Sequence, residues 1–203
     1  MKKFTLPVLV LSLGLVACGG SDNAAELAAL EAELNNAVEE MATEPVEEEV
    51  TASELFSSVD GKFEINFPGT PTENSDIIPT EVGNIEMTSF LYEKSVTEAY
   101  MVAYSDYPSE MVKQSSINDI LVGARDGSSG NLGITSFDLD EKIEIDGNPG
   151  MYFKGTAKNI YAEYKLYMVE NRLYQVAILR DGSYATPKRS DEFFNSFALI
   201  SEE

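Results

Sequence analysis

Beyond residue 60, apolar and polar residues alternate with a period of two along much of the chain. In Lys62–Phe67 the residues Phe63, Ile65 and Phe67 share one face, and Pro68-Gly69 ends the run. Successive strand side chains point to opposite faces, so this pattern predicts a half-buried strand. Asn84–Tyr92 and Glu98–Asp106 repeat it on either side of a polar turn near Ser95. In the second run Tyr100, Val102 and Tyr104 lie on one face, and Ala99, Met101 and Ala103 on the other. Lys142–Ile145, Met151–Ala157, Ile160–Val169 and Leu173–Leu179 follow. Between them stand Asp146-Gly147, Asn148-Pro149-Gly150 and Glu170-Asn171, which have the chemistry of turns. The order predicts consecutive antiparallel hairpins. Leu173–Leu179 is apolar at nearly every position, which predicts a central strand buried on both faces.

Two stretches change period. Ile117, Ile120, Leu121 and Ala124 keep helical spacing after Ser115 and Ser116, which can cap a helix. Asp126-Gly127-Ser128-Ser129-Gly130 reads as the end of that helix and the loop beyond it. Farther on, Phe193, Phe194 and Phe197 follow Pro187 and Ser190, with Asp191 and Glu192 expected in the first turn. A predominantly antiparallel sheet flanked by helices is an α+β fold. Residues 53–203 have the length of one such domain and show no internal repeat.

The first residues follow another logic. Lys2 and Lys3 precede an uncharged apolar run from Phe4 to Ala17, and small residues surround Cys18. A run of 14 residues is short for a membrane-spanning helix, which needs about 20, and Pro7 would be costly inside one. Charge, length and small residues together make a secretory signal peptide. Leu15-Val16-Ala17-Cys18 resembles the lipobox of bacterial lipoproteins. That resemblance implies that residues 1–17 are removed and that Cys18 carries a diacylglyceryl group and an acylated amino terminus. Each buried methylene is worth about 0.8 kcal/mol, and stable anchoring takes at least two acyl chains. A lipidated Cys18 would carry three, so the expected membrane contact is the lipid itself. By resemblance to sorting in two-membrane bacteria, Gly19 in place of aspartate implies the outer membrane of the cell envelope.

Residues 18–52 read as a lipidated N-terminus followed by an acidic helical tether and a linker. From Ala24 to Ala42 the chain is rich in Ala, Leu and Glu, and Asn23 with Glu26 resembles a capping box. Leu27, Leu30, Leu34, Ala37 and Met41 recur at steps of three and four, an a/d seam of about two heptads. Weak self-association through residues 24–42 is one reading. A single tether helix is favoured, because so short a seam is marginal in water. Thr43–Ala52 contains Pro45 and Glu47-Glu48-Glu49, whose like charges extend a linker.

Composition narrows the chemistry. The chain has no histidine and no tryptophan, and Cys18 is its one cysteine. Imidazole or thiolate metal sites, histidine bases and cysteine nucleophiles in the folded part are excluded. Residues 19–52 hold ten acidic and no basic side chains, and residues 53–203 hold 25 acidic against 12 basic. With Lys2 and Lys3 this gives the −21 of the whole chain. Nucleic-acid binding needs the opposite balance, and anionic headgroups would repel the folded part.

Several segments carry a family likeness in one order. They are Gly61-Lys62-Phe63-Glu64-Ile65-Asn66-Phe67-Pro68-Gly69-Thr70-Pro71, Ala99–Pro108, Asp146-Gly147-Asn148-Pro149-Gly150, Asn171–Val176 and Phe194-Asn195-Ser196-Phe197. Over residues 56–200 the chain resembles a widespread family of uncharacterised exported bacterial proteins. More distantly its layout is similar to the PsbP-like superfamily. The resemblance implies an α/β/α sandwich and an accessory or docking role, and it transfers no catalytic residue.

Candidate sites are sparse. Asp138-Leu139-Asp140-Glu141 offers carboxylates for calcium but lacks the spacing of an EF-hand, and strand alternation explains it as solvent-facing charge. Gly127–Gly130 follows a helix, whereas phosphate loops precede one. Ser115 and Ser116 near Lys113 have no supporting motif for a serine–lysine dyad. Tyr164 falls on the core face with Ile160, Ala162, Leu166 and Met168. Tyr161 and Tyr167 lie on the other face with Glu163 and Lys165, either exposed for a protein interface or packed across strands under a helix. No catalytic, cofactor-binding or metal site is expected, and Cys18 is the one predicted site of modification. The expected role is a membrane-anchored, non-catalytic accessory or protein-binding lipoprotein with a partner in the cell envelope. The alternative is a carrier or sensor holding a lipid or small ligand in an apolar pocket between sheet and helix.

Overall fold

The computed structural model of the chain describes residues 54–80 and 83–200, all within one compact unit, Val50–Glu203. Cys18, the expected signal segment and the expected seam of residues 24–42 lie outside the described residues. The described elements are β1 (Glu54–Ser58), β2 (Phe63–Phe67), β3 (Thr72–Thr80), β4 (Gly83–Ser95) and β5 (Glu98–Asp106). They continue with α1 (Ser109–Gln114), α2 (Ile117–Leu132), β6 (Phe137–Ile145), β7 (Asn148–Ala157), β8 (Ile160–Val169) and β9 (Arg172–Asp181). The last two are α3 (Pro187–Phe194) and β10 (Ala198–Leu199).

Seven strands form an antiparallel sheet in the order β3-β4-β5-β9-β8-β7-β6, and β1-β2-β10 form a smaller one. Strand β9 is fourth of seven, as its continuous apolar run predicts. Each face of the large sheet is sealed differently. On one face Ile120 and Leu121 of α2 pack with Phe153, Tyr164, Leu166 and Ala177. On the other, Phe63, Ile65 and Phe67 of the small sheet and Phe193 and Phe194 of α3 meet Tyr100, Val102, Tyr174 and Val176. The fold is α+β, with helices on both faces of an antiparallel sheet and a small sheet added to one of them. Among the described residues no helix is long and apolar enough to cross a membrane.

The hairpins of β6 to β9 reverse over two residues each. Asp146 and Gly147 both take positive φ, 50° and 78°, the signature of a type I′ turn. Two residues therefore suffice, and Asn148 already pairs with Ile145. Asn148-Pro149-Gly150, expected as a turn, is instead the start of β7.

Helix α2 also differs from expectation. It continues through Asp126–Gly130 and ends at Gly133, whose φ of 78° is left-handed. The Gly133 N–H donates to Gly130 O (3.0 Å) and the Ile134 N–H to Ser129 O (2.9 Å), with Ile134 buried beneath, a Schellman ending. Ser129 Oγ donates to Arg125 O (2.6 Å), so its hydroxyl serves the helix rather than breaking it. Packing on the sheet overrides the weak propensity of the two glycines. Ser116 occupies the N-cap position without a side-chain capping bond.

Helix α3 begins earlier than its phenylalanines suggest. Thr186 caps it, its Oγ1 accepting from the Arg189 N–H (3.4 Å), and Pro187 opens it. Asp191 and Glu192 consequently lie beyond the first turn. Phe197 falls after the helix, stacked on Tyr167 at 5.8 Å.

Candidate functional site

The densest chemistry lies on the α3 face of the large sheet, in two buried carboxylate clusters. Glu98 starts β5 and stands opposite Arg180 of β9, which in turn stands opposite Tyr161 of β8. Arg180 Nε donates to Glu98 Oε2 (3.2 Å), and Arg189 Nη1 donates to both carboxylate oxygens (3.3 and 3.1 Å). The Tyr100 hydroxyl donates to Oε1 at 2.5 Å. Burial first, and then the Glu98 hydrogen bond, push the Tyr100 phenol well above its ordinary range.

Glu163 sits on β8 between β7 and β9, and its side chain is 1% exposed. Its Oε2 takes three donors: Lys154 Nζ at 2.8 Å, Ser190 Oγ at 2.8 Å and the Tyr152 hydroxyl at 3.2 Å. Its Oε1 is buried without a hydrogen-bond partner. Lys154 also lies 5.4 Å from the ring centres of Tyr152 and Tyr184. Burial alone would lower the Lys154 ammonium. Hydrogen bonds to Glu163 and Tyr152, with their charges, outweigh that and hold it above its ordinary range. Lys165, lying over Tyr152 and Phe194, is lowered by burial, against the nearby charges of Asp191 and Glu141.

Adjacent residues of α3 serve the two clusters: Arg189 reaches Glu98 and Ser190 reaches Glu163. This joins the helix to β5 and β8 at once. The arrangement is poorly suited to covalent chemistry. Ser190 is buried and donates its proton to a carboxylate, and the neighbouring lysine is held charged, where a serine–lysine base must be neutral.

The segments singled out from sequence separate. Asp138 accepts from the Tyr184 hydroxyl (2.5 Å) on the α3 side, while Asp140 pairs with Arg125 on the α2 side. A bulge between Phe137 and Leu139 sends these two acids apart. Among the described residues no three carboxylates gather where a metal could be held. Gly127–Gly130 lies within helix α2, so it is not a phosphate loop. Lys113 pairs with Glu110 at 2.8 Å, and Ser115 is the extended residue closing α1. Tyr164 is buried, and burial pushes its phenol up to about 12. Tyr167 is buried against Phe197, and Tyr161 packs edge-on to Tyr184 at 5.0 Å. Tyr161 is thus half-buried against the loop before α3 and Tyr167 is core against the residue just beyond that helix, so the two do not form an exposed aromatic surface.

Glu98, Lys154, Glu163, Arg180, Arg189 and Ser190 were not anticipated. The available signal was Glu163 itself, a carboxylate inside an apolar strand that two neighbouring strands enclose.

The described residues thus form a layered α+β domain whose buried carboxylates are neutralised from within. No protein-family model matches the chain, and no curated protein does. Among solved structures the chain is similar to a Bacteroides thetaiotaomicron protein determined at 1.50 Å resolution, with 13% identity and a TM-score of 0.40. The match covers 74% of this chain and 49% of that one, so this chain spans about half its length.

Proposed function

We propose that the protein is a cell-envelope lipoprotein, anchored through lipid on Cys18, whose folded part is a non-catalytic accessory or protein-binding domain. The observation that carries this reading is where the reactive groups are spent. Glu98 and Glu163 are each closed by basic and hydroxyl partners that join α3 to the sheet. What faces solvent is mainly acidic and dispersed. The intervals where a ligand carrier would need its pocket hold Phe67, Tyr100 and Phe193 on one face and Leu121, Phe153 and Tyr164 on the other. The resemblance to PsbP-like accessory domains and the lipobox-like Leu15–Cys18 support the same reading.

Three measurements test it. Cys18→Ser should release the folded part from the membrane fraction or leave the signal uncleaved, and a processed chain that stays membrane-bound would refute the single anchor. Crosslinking in intact cells should capture a protein partner. Purified chain should hydrolyse ester, peptide and phosphate substrates no faster than a buffer blank. Turnover abolished by one acidic or serine substitution would make the domain an enzyme.

A further inference from the structure

The large sheet has two edges, and they are built differently. At β6 the bulge between Phe137 and Leu139 interrupts pairing, Lys142 adds a charge, and Tyr184 and Arg125 reach Asp138 and Asp140 from opposite faces. Such features blunt an edge against further strands. Strand β3 instead pairs with β4 over nine consecutive positions, Thr72↔Leu91 to Thr80↔Gly83, without a break. Among the described residues nothing pairs with its outer side.

The side chains of β3 say what would fit there. Ile77 is 68% exposed and Ile78 38%. Alternation puts Glu73 and Ile77 on one face and Asp76 and Ile78 on the other. Each face therefore offers one isoleucine and one carboxylate. Neighbouring β4 adds Glu86 and Glu93, with Lys94 as the opposing charge. A second copy would bring Glu73 and Asp76 against their own kind on a chain of net charge −21. The edge is thus closed to copies of itself by charge, yet its backbone is open as far as Pro79, which has no N–H to offer.

We propose that the outer edge of β3 is a docking strand for an extended, basic segment of a partner protein, with cationic and aliphatic residues interleaved, which adds to the sheet as an eighth strand. This rests on the protein-binding reading above and supplies the partner's chemistry. Main-chain hydrogen bonds would give the affinity, and the paired acid and isoleucine on each face the selectivity.

The test uses the full mature chain in detergent micelles and three nine-residue peptides: alternating Lys-Val, alternating Glu-Val, and Lys-Val with every second amide methylated. The Lys-Val peptide should slow hydrogen exchange at the outward amides of Thr72–Ile78 at least tenfold. Its binding, read by fluorescence anisotropy, should weaken at least tenfold at about 0.5 M salt. The Glu-Val and methylated peptides should bind at least tenfold more weakly. Ile77→Lys, at an exposed position that leaves the core untouched, should cut Lys-Val binding at least tenfold. Equal binding of the methylated peptide, protection only elsewhere, or indifference to Ile77→Lys would each overturn the proposal. A concentration-dependent dimer protecting the same amides would also overturn it, by assigning the edge to a second copy. A partner crosslinked in cells on another surface, with β3 unprotected, would overturn this inference alone and leave the protein-binding reading standing.

Discussion

Lys154 and Glu163 form a buried ion pair with unequal access to water, and this makes the two single substitutions unequal. The Glu163 side chain is 1% exposed and that of Lys154 is 25% exposed. In Lys154→Met the carboxylate cannot reach solvent and keeps only the Ser190 and Tyr152 hydroxyls, with Oε1 still unpartnered. Stranding a buried charge in this way costs about 3–5 kcal/mol. In Glu163→Gln the amide still accepts a hydroxyl hydrogen bond. Lys154 can extend its long stem toward water, so the cost is about 1–2 kcal/mol, that of weakened hydrogen bonds. Urea unfolding of purified protein, followed by circular dichroism, separates the cases. With an m-value of about 2 kcal/mol per M, the midpoints should fall by about 2 M and about 0.7 M. The double variant should resemble Glu163→Gln alone, because the stranded charge is gone, so the coupling equals the full Lys154→Met cost, about 3–5 kcal/mol. Equal losses, or a larger loss for Glu163→Gln, would refute the account of Glu163 as the captive partner.

Gly127→Ala and Gly130→Ala should each stabilise by about 0.5–1 kcal/mol in thermal melts, because both lie within α2 and a Cβ there meets nothing within 4 Å; a loss at either would mean that the segment is not helical. Burial raises Tyr164 and Tyr167 to about 12 from an ordinary value of about 10. The neutral phenol is therefore favoured in the folded state, and its stabilisation is complete below about pH 10 and lost as pH rises toward about 12. Lys154, also raised, acts in the same sense. Urea midpoints at pH 8, 10 and 11 should fall in that order, and Tyr164→Phe should flatten the fall. A chain beginning at Ser53 should melt within a few degrees of the mature protein, and a large loss would show that residues 24–42 contribute to the domain.

The parts of the fold that were legible in the sequence are those where a single period governs a whole element. Phe63, Ile65 and Phe67 declare β2 because one face of that strand is core and the other is not. The run Leu173–Leu179 declares a central strand because both of its faces are covered. Legibility fails where a tertiary contact substitutes for local signal. Gly127 and Gly130 suggest the end of a helix, yet the packing of Ile120 and Leu121 and the ending at Gly133 carry the helix about two turns beyond Arg125. Strand β3, Thr72–Thr80, is exposed on both faces through Ile78, so it has no apolar period to read, and it is held by its ladder to β4. The carboxylate clusters escaped for a related reason. Glu98 and Arg189 are 91 residues apart in sequence, and only the topology makes them neighbours.

The contrast between the two faces of the large sheet bears on what α3 is for. The α2 face is sealed mainly by aliphatic and aromatic packing, which is non-directional and tolerates small slides of one layer over another. The α3 face is also rich in aromatic contacts, but there Arg189 and Ser190 must meet carboxylates on two different strands. A shift of α3 by one residue would bring either Ser190 and Asp191 or Lys188 and Arg189 to the places of Arg189 and Ser190, and leave a buried carboxylate facing the wrong partner. The ionic clusters therefore act as a register device for the helix, and the chain from Phe194 to Leu199 inherits that register. Phe197 reaches Tyr167 and Ala198 pairs with Glu64 on β2 as a result. The small sheet is thereby placed by charges that lie in a different layer. Chemistry buried in this way is committed to positioning, and the surface left free to vary is the acidic exterior and the open edge at β3.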